Sequence, residues 1–145
     1  SLNLFGVENL SVLNVDDNQI ATMILSGLPS LNTLMCSDNH MQTLVLRDCN
    51  ALIDLICSYN DLTDLSVERC PNLQFVDCSY NDLTDLNLSN QALLQRLLCN
   101  NNQLTTLDVS FDQALTFVNC RFNFITDFRA LATPNLSMIA YQWNY

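Results

Sequence analysis

Lysine is absent from the 145 residues, and the cationic side chains are five arginines: Arg47, Arg69, Arg96, Arg121 and Arg129. Against them stand 15 acidic residues, so the formal net charge is -10. Because phosphate neutralisation dominates the affinity for nucleic acid, a chain this acidic excludes a nucleic-acid partner from our expectations. An anionic membrane surface is excluded for the same reason. The acidity favours solubility or a basic partner.

Other scarcities narrow the fold class. The chain holds two glycines and three prolines, which excludes a collagen-like or linker-like polymer. No apolar run approaches the roughly 18 residues that span a bilayer, so we expect no membrane insertion. No segment combines the length of a helix with its 3.6-residue spacing, which predicts little helix.

One interval, 21 residues, organises the whole chain. Asparagine recurs at it, as does an apolar column that is mostly leucine, and cysteine occupies five successive repeats. The columns read Asn18, Asn39, Asn60, Asn81, Asn102, Asn123 and Asn144; Leu13, Leu34, Leu55, Val76, Leu97, Val118 and Ile139; and Cys36, Cys57, Cys78, Cys99 and Cys120. Such a register predicts a repeat protein built from stacked coils.

The register is uninterrupted, so we expect a single domain over residues 1–145. It contains a partial repeat at 1–9, full repeats that start at 10, 31, 52, 73, 94 and 115, and a partial repeat at 136–145. Because the chain starts and stops within a repeat, we expect it to be a fragment of a longer protein.

Each repeat divides into two similar halves. The last two apolar residues of a half alternate with polar ones, which is the two-residue period of a short strand. We therefore predict about two short strands per coil, stacked as parallel sheet with the apolar columns inside. The asparagine follows the first half, where the coil turns, and its amide can satisfy backbone groups of its own loop and of a neighbouring coil.

The cysteines form two columns. Five of them point inward from adjacent parallel strands about 4.8 Å apart, and in-register Cβ vectors do not approach closely enough for a disulfide. We expect these five to be small buried apolar residues. Cys49 and Cys70 form a shorter column nearer a turn, and we expect them to be the more reactive pair.

The repeat resembles a known family. Leu73-x-x-Val76-x-Cys78-x-x-Asn81-x-Leu83 is similar to the leucine-rich-repeat signature L-x-x-L-x-L-x-x-N-x-L. The 21-residue length and the second half, L-T-D-L-N-L-S, resemble a bacterial class with nested half-repeats, the IRREKO class. This resemblance implies a leucine-rich repeat solenoid, mostly β and irregular, whose main sheet lines one face. It also implies binding of proteins or glycans, and a secreted or cell-surface location.

Catalysis and cofactor binding have little support in the sequence. A Ser-His-Asp site needs a histidine beside its serine, and the single histidine, His40, does not accompany the recurring serines. The cysteines lack C-x-x-C spacing, so we expect no zinc. A ladder of carboxylates along a sheet does not converge on calcium. We therefore predict no enzyme activity, no cofactor and no metal.

Strand alternation predicts which residues face outward from the main sheet. If Val76 and Cys78 point inward, then Phe75, Asp77 and Ser79 point outward. Aromatic, apolar and arginine side chains on such a face are typical of protein interfaces. We predict a partner-binding surface that consists of Met35, Asp54, Ile56, Tyr59, Phe75, Asp77, Tyr80, Arg96, Leu98, Phe117 and Arg121.

These observations predict a non-catalytic recognition module of a bacterial surface or secreted protein, with a protein ligand. A glycan ligand is the alternative ligand class. Two other roles remain open: a structural spacer or stalk that supports another domain, and a binding module of an intracellular effector. The open ends of the solenoid also allow self-association.

Overall fold

The computed structural model describes residues 4, 6–88, 91–131 and 133–144, and these residues form a parallel β-solenoid without helix. Twelve strands are present in this part of the chain. In chain order they are β1 (Val12–Asn14), β2 (Thr22–Ser26), β3 (Thr33–Met35), β4 (Thr43–Arg47), β5 (Asp54–Ile56), β6 (Asp64–Glu68), β7 (Phe75–Asp77), β8 (Arg96–Leu98), β9 (Thr106–Asp108), β10 (Phe117–Asn119), β11 (Asp127–Arg129) and β12 (Met138–Ala140).

The main sheet has seven strands in the order β1-β3-β5-β7-β8-β10-β12. All of its pairs are parallel, and each residue faces the residue 21 positions away: Leu13 pairs with Leu34, and Leu55 with Val76. The repeat period is therefore the hydrogen-bonding register, as the sequence predicts. Since one coil adds one strand, the residues of each sequence column lie in a row across the sheet.

The second side of the coil is less regular than the predicted two strands per coil. It holds a three-stranded sheet, β2-β4-β6, and a two-stranded sheet, β9-β11. Residues 85–88, which lie between β6 and β9 in the stacking order, are not in a strand. Leu86 and Leu88 nevertheless stay buried. The core is thus continuous where the second-side hydrogen-bond ladder is interrupted.

The apolar columns fill the interior. Leu34, Leu55, Val76, Leu97 and Val118 are all 0% exposed. Full burial of such a side chain contributes about 1.5–3 kcal/mol. The strand alternation explains their inward direction, because β3, β5, β7 and β10 each bury only the middle residue completely. The prediction of an apolar interior formed by these columns is confirmed for the central coils, whereas Ile139 in the last coil is 43% exposed.

All seven cysteines are buried free thiols. Burial raises the pKa of Cys36 to about 12, with a smaller contribution from the charge of Asp16. Burial likewise raises the pKa of Cys57 well above its ordinary value. The five thiols of the first column act as small apolar side chains, as predicted.

The asparagine column closes the corner after each main-sheet strand. Asn81 donates from Nδ2 to the carbonyl oxygens of Cys78 and Ser79 in its own coil, at 3.1 and 3.2 Å. Its Oδ1 accepts the N–H of Leu62 from the preceding coil at 2.9 Å. The same acceptance from the preceding coil recurs at Asn39, Asn60, Asn102, Asn123 and Asn144. The predicted structural role of the column is confirmed.

Directly before each asparagine lies a residue with positive φ. We call these residues the corner column: Asp17, Asp38, Tyr59, Tyr80, Asn101, Phe122 and Trp143, with φ from 53° to 67°. Asp and Asn tolerate this left-handed conformation, whereas bulky side chains rarely adopt it. The backbone of every coil makes the same turn, whichever residue occupies it.

Candidate functional site: the main-sheet face

The outward side of the main sheet carries the predicted surface. We call it the main-sheet face, and it comprises the outward strand residues of β1, β3, β5, β7, β8, β10 and β12 together with the corner residues that follow these strands. Arg96 is exposed, and so are Tyr59 and Tyr80 at the adjoining corner. The other predicted residues are half-buried, because neighbours in the rows cover one another: Met35, Asp54, Ile56, Phe75, Asp77, Leu98, Phe117 and Arg121. The face is therefore continuous rather than a set of separate protruding side chains.

Arg96 lies between two aromatic rings at the centre of the main-sheet face. Its guanidinium carbon is 5.6 Å from the ring centroid of Phe75 and 5.5 Å from that of Phe117. The three residues are paired in register on β7, β8 and β10. Both distances lie within the range of a cation–π contact. Strand pairing alone brings these three side chains together.

A second aromatic pair stands at the edge of the face. The rings of Tyr59 and Tyr80 stack with centroids 4.3 Å apart and planes 9° apart. Partial desolvation, the Tyr80 phenol and the carboxylates of Asp38 and Asp77 raise the pKa of Tyr59.

The prediction of an outward-facing row at Ser79 is wrong, because Ser79 and its column neighbours Ser37 and Ser58 are buried. Ser37, Ser58 and Ser79 are 8%, 7% and 5% exposed. The hydroxyl groups of Ser37 and Ser58 lie 3.1 Å apart, and that of Ser79 donates to Asp77 Oδ1 at 2.6 Å. Small hydroxyl side chains at the start of the corner are covered because the chain turns immediately after them.

Phe122 and Trp143 lie outside the predicted surface set but form a further exposed pair. Their rings are 6.2 Å apart and nearly parallel, at 2°. They occupy the corner column, as Tyr59 and Tyr80 do. The shared 21-residue register was the signal that could have included them. Asn101 separates the two stacks and makes the same turn with a short polar side chain.

The second side of the coil has a different surface. Its strands present mainly polar and charged residues outward, such as Thr43, Asp64 and Asp108. The arginines of this side are in ion pairs: Arg47 with Glu68, Arg69 with Asp48, and Arg129 with Asp127. All of these groups are substantially exposed to solvent, where such pairs contribute little to stability. Exposed apolar residues occur on this side too, as Ile24 on β2 and Phe111 after β9. The stacked rings and the arginine–aromatic contacts lie on the main-sheet side.

The single histidine and the acidic residues are potential metal ligands. His40 Nδ1 lies 3.6 Å from Asp61 Oδ2, and both side chains are mostly exposed. Within the described residues, no group of three or more His, Cys, Asp and Glu side chains is arranged to hold a metal ion. A polar cavity of about 510 Å³ lies beside the interrupted second-side strand, between Glu68 and Gln91, away from the main-sheet face. In the described parts of the chain, no helix is long and apolar enough to cross a membrane.

Comparison with solved structures supports a leucine-rich-repeat-like fold. The chain is similar to the functional domain of InlJ from Listeria monocytogenes, which includes a cysteine ladder; the TM-score is 0.74 and the identity 26%. The match covers 94% of this chain and 33% of that one, so the chain spans about a third of its structural neighbour. No protein-family model matches the sequence, and neither does any curated protein.

The likeness indicates a repeat module of the kind used for protein interaction, on a solenoid fold that is typically not enzymatic. The narrower assignment to the 21-residue nested class stays a prediction.

Proposed function

We propose that this chain is a non-catalytic protein-recognition module that binds a protein partner through the main-sheet face. The observation that carries the proposal is the arrangement of Arg96 between Phe75 and Phe117 at the centre of that face. Arginine and aromatic residues are the side chains most often found as energetic anchors of protein interfaces. Here they are held in fixed positions by a seven-stranded sheet.

The contrast between the two sides of the coil supports this choice of surface. Folding requires the inward columns, which are fully buried, but it does not require Phe75, Phe117 or Met35 on the outward side. The strands of the second side also stack in register, but many of their outward residues are threonine, aspartate and ion-paired arginine. A continuous outward face with aromatic and apolar side chains is typical of a contact surface.

A bacterial surface or secreted setting is part of the proposal. Its support is the resemblance of the repeat to bacterial leucine-rich repeats and the likeness to a Listeria protein. Protection of the chain from an added protease in intact cells, with cleavage only after lysis, would contradict this setting.

The test is a selection of binders followed by substitution. A displayed library of random peptides is selected against the folded chain, and the affinities of the recovered peptides are measured for variants. The double variant Phe75→Ser and Phe117→Ser is expected to lose at least tenfold in affinity for most of them. Circular dichroism and the melting temperature confirm that the variant is folded.

A matched control removes two exposed apolar side chains from elsewhere. Ile24 and Phe111 are each 63% exposed and lie outside the main-sheet face. The double variant Ile24→Ser and Phe111→Ser should bind the selected peptides as the unmodified chain does. Peptides that bind the Phe75 and Phe117 variant fully, but fail on the control, would show that recognition uses another surface.

A further inference from the structure

The charges of the main-sheet side are unevenly distributed along the solenoid. The first four main-sheet strands and their corners carry the aspartates of this side, whereas its two arginines lie on later coils. The aspartates are Asp16, Asp17, Asp38, Asp54 and Asp77. Arg47 and Arg69, which belong to the same early coils, are paired with carboxylates on the second side. The early half of this surface is therefore acidic and lacks arginine.

The Tyr59 and Tyr80 stack stands inside this acidic half. Tyr80 covers one face of the Tyr59 ring, and the neighbour on the other side is the short Asp38. Tyr59 remains 51% exposed and Tyr80 43% exposed. Backbone bonds keep the three corners in register, since Asp38 N donates to Ser58 O at 3.2 Å and Tyr59 N to Ser79 O at 3.1 Å. One aromatic face is thus open beside a carboxylate.

Another contact in this chain shows that a guanidinium group can occupy the space beside an aromatic ring. Elsewhere on the main-sheet face, the guanidinium of Arg96 occupies the space between Phe75 and Phe117, within 5.6 Å of both ring centroids. The open face of Tyr59 is an equivalent ring surface with no cation from this chain among its ring contacts in the described residues. Asp38 and Asp77 both act on the Tyr59 phenol. A cation above that ring would gain from the aromatic face and from the carboxylate of Asp38 beside it, with a further contribution from Asp77 on the coil of Tyr80.

We infer that the acidic half of the main-sheet face receives a basic segment of a partner protein, with an arginine side chain on the open face of Tyr59, beside Asp38. This inference rests on the proposed function and names the chemistry of its partner. The net charge of -10 supplies long-range attraction for the same partner. Planar guanidinium suits a ring face better than a compact, strongly hydrated ammonium.

The test uses defined probes: blocked hexa-arginine, hexa-lysine and hexa-glutamate peptides, titrated into the folded chain by calorimetry. The Tyr59 and Tyr80 ring resonances are followed in parallel by nuclear magnetic resonance. Hexa-arginine is expected to bind, to shift both ring resonances and to bind more tightly than hexa-lysine. Hexa-glutamate is expected not to bind. Absence of hexa-arginine binding up to millimolar concentration would overturn the inference.

Substitutions separate the aromatic site from general acidity. In the double variant Tyr59→Asn and Tyr80→Asn, affinity for hexa-arginine should fall at least tenfold. Asparagine suits the backbone there, because Asn101 already makes this turn. The matched control is Phe122→Asn with Trp143→Asn, which truncates the other corner stack and should change the affinity less than twofold. Equal losses in both double variants would contradict the inference.

A second pair of variants tests the carboxylates. Asp38→Asn with Asp77→Asn should weaken hexa-arginine at least fivefold, and Asn119 shows that asparagine can accept the same local backbone bond as Asp77. The control Asp64→Asn with Asp85→Asn removes equal charge from the second side. If both pairs weaken binding equally, the attraction is unspecific and the inference fails.

The two proposals can fail separately. If the selected peptides depend on Phe75 and Phe117 but are not basic, and hexa-arginine does not bind, the recognition face stands and the basic partner is refuted. If hexa-arginine binds at Tyr59 while peptides selected from the library ignore Phe75 and Phe117, the proposed centre of the face is refuted instead.

Discussion

The side-chain amide of Asn81 donates a hydrogen bond to the carbonyl oxygen of Cys57, 24 residues earlier, over 3.1 Å. Asn102 reaches Cys78 in the same way, and Asn123 reaches Cys99. Each asparagine therefore joins two coils at a buried corner, where the main-sheet strand has ended. Backbone groups at such a corner would otherwise lose water without gaining a partner.

Replacing Asn81 with alanine should lower the free energy of unfolding by about 2–4 kcal/mol, since several buried backbone groups lose their partner together. Urea unfolding followed by circular dichroism measures the change. Asn50→Ala, at an exposed loop position, is the control and should lie within about 0.5 kcal/mol of the unmodified chain. An Asn81 variant as stable as this control would refute the structural role.

Truncation of the core should be costly at the middle of the main sheet. Leu97 on β8 is 0% exposed, so Leu97→Ala should lower the free energy of unfolding by about 2–5 kcal/mol through lost burial and a residual cavity. Leu93 is 45% exposed, and Leu93→Ala should cost less than about 1 kcal/mol. Chemical denaturation of both variants checks the difference; equal values would mean that the inward column does not carry the core.

Asp112 predicts a pH dependence of stability. Its side chain is 1% exposed and both carboxylate oxygens lack hydrogen-bond partners. Burial, with a smaller contribution from the charge of Asp108, raises the pKa of Asp112 to about 7. The folded state therefore favours the protonated form, and its stabilising contribution is lost as the pH rises through about 7.

Between pH 5.5 and 8.5 this loss amounts to about 2 kcal/mol, because each pH unit between the unfolded and folded pKa values changes stability by about 1.4 kcal/mol. Asp112→Asn should remove that part of the pH dependence in urea unfolding. Asp17→Asn, at an exposed corner, should leave it unchanged. A pH profile of Asp112→Asn that parallels the unmodified chain would contradict the assignment.

The second cysteine column should differ from the first in alkylation. The hydrogen bond with Cys70 lowers the pKa of Cys49 to about 7, whereas burial raises the pKa of Cys57. Because the thiolate is the nucleophile, Cys49 should react with iodoacetamide before Cys57 in the native state at pH 8. Peptide mass spectrometry after brief exposure measures the order.

Cys70→Ala serves as the control for that order. It removes the partner of the hydrogen bond and should slow the alkylation of Cys49 several-fold. Both thiols are buried, so reaction also needs local opening of the chain around each of them. Simultaneous labelling of Cys49 and Cys57 would show that opening, rather than thiolate content, sets the rate.

Several features of the site were predictable because they depend only on register. The 21-residue columns identify Leu55, Val76 and Leu97 as core, and alternation then places Phe75 and Arg96 on the outward side. No contact had to be known in advance, since a stacked parallel sheet repeats one geometry in every coil. The partner-binding role of the selected residues stays a prediction.

Other features depend on how neighbouring coils pair, and the alternation of polar and apolar residues within one repeat does not predict them. Residues 85–88 alternate in polarity as residues 64–67 do, yet only the latter lie in a strand. On the second side, Gln91 makes the same kind of bond as the asparagine column. Its side-chain amide donates to Val67 O at 3.3 Å, again 24 residues earlier. Gln91 follows Cys49 and Cys70 in one sequence column. The hydrogen-bonding role of this position is visible only in the three-dimensional structure.

The sequence by itself determined the solenoid, its period, its inward columns and the outward direction of Phe75, Arg96 and Phe117, because a two-residue alternation repeated every 21 residues permits one stacking. Only the tertiary structure decided how deeply each side chain is covered. Burial depends on neighbours one coil away, which is why Ser58 is enclosed while Tyr59, the next residue, stands exposed beside Asp38. That difference determines which groups of the main-sheet face are free to meet a partner.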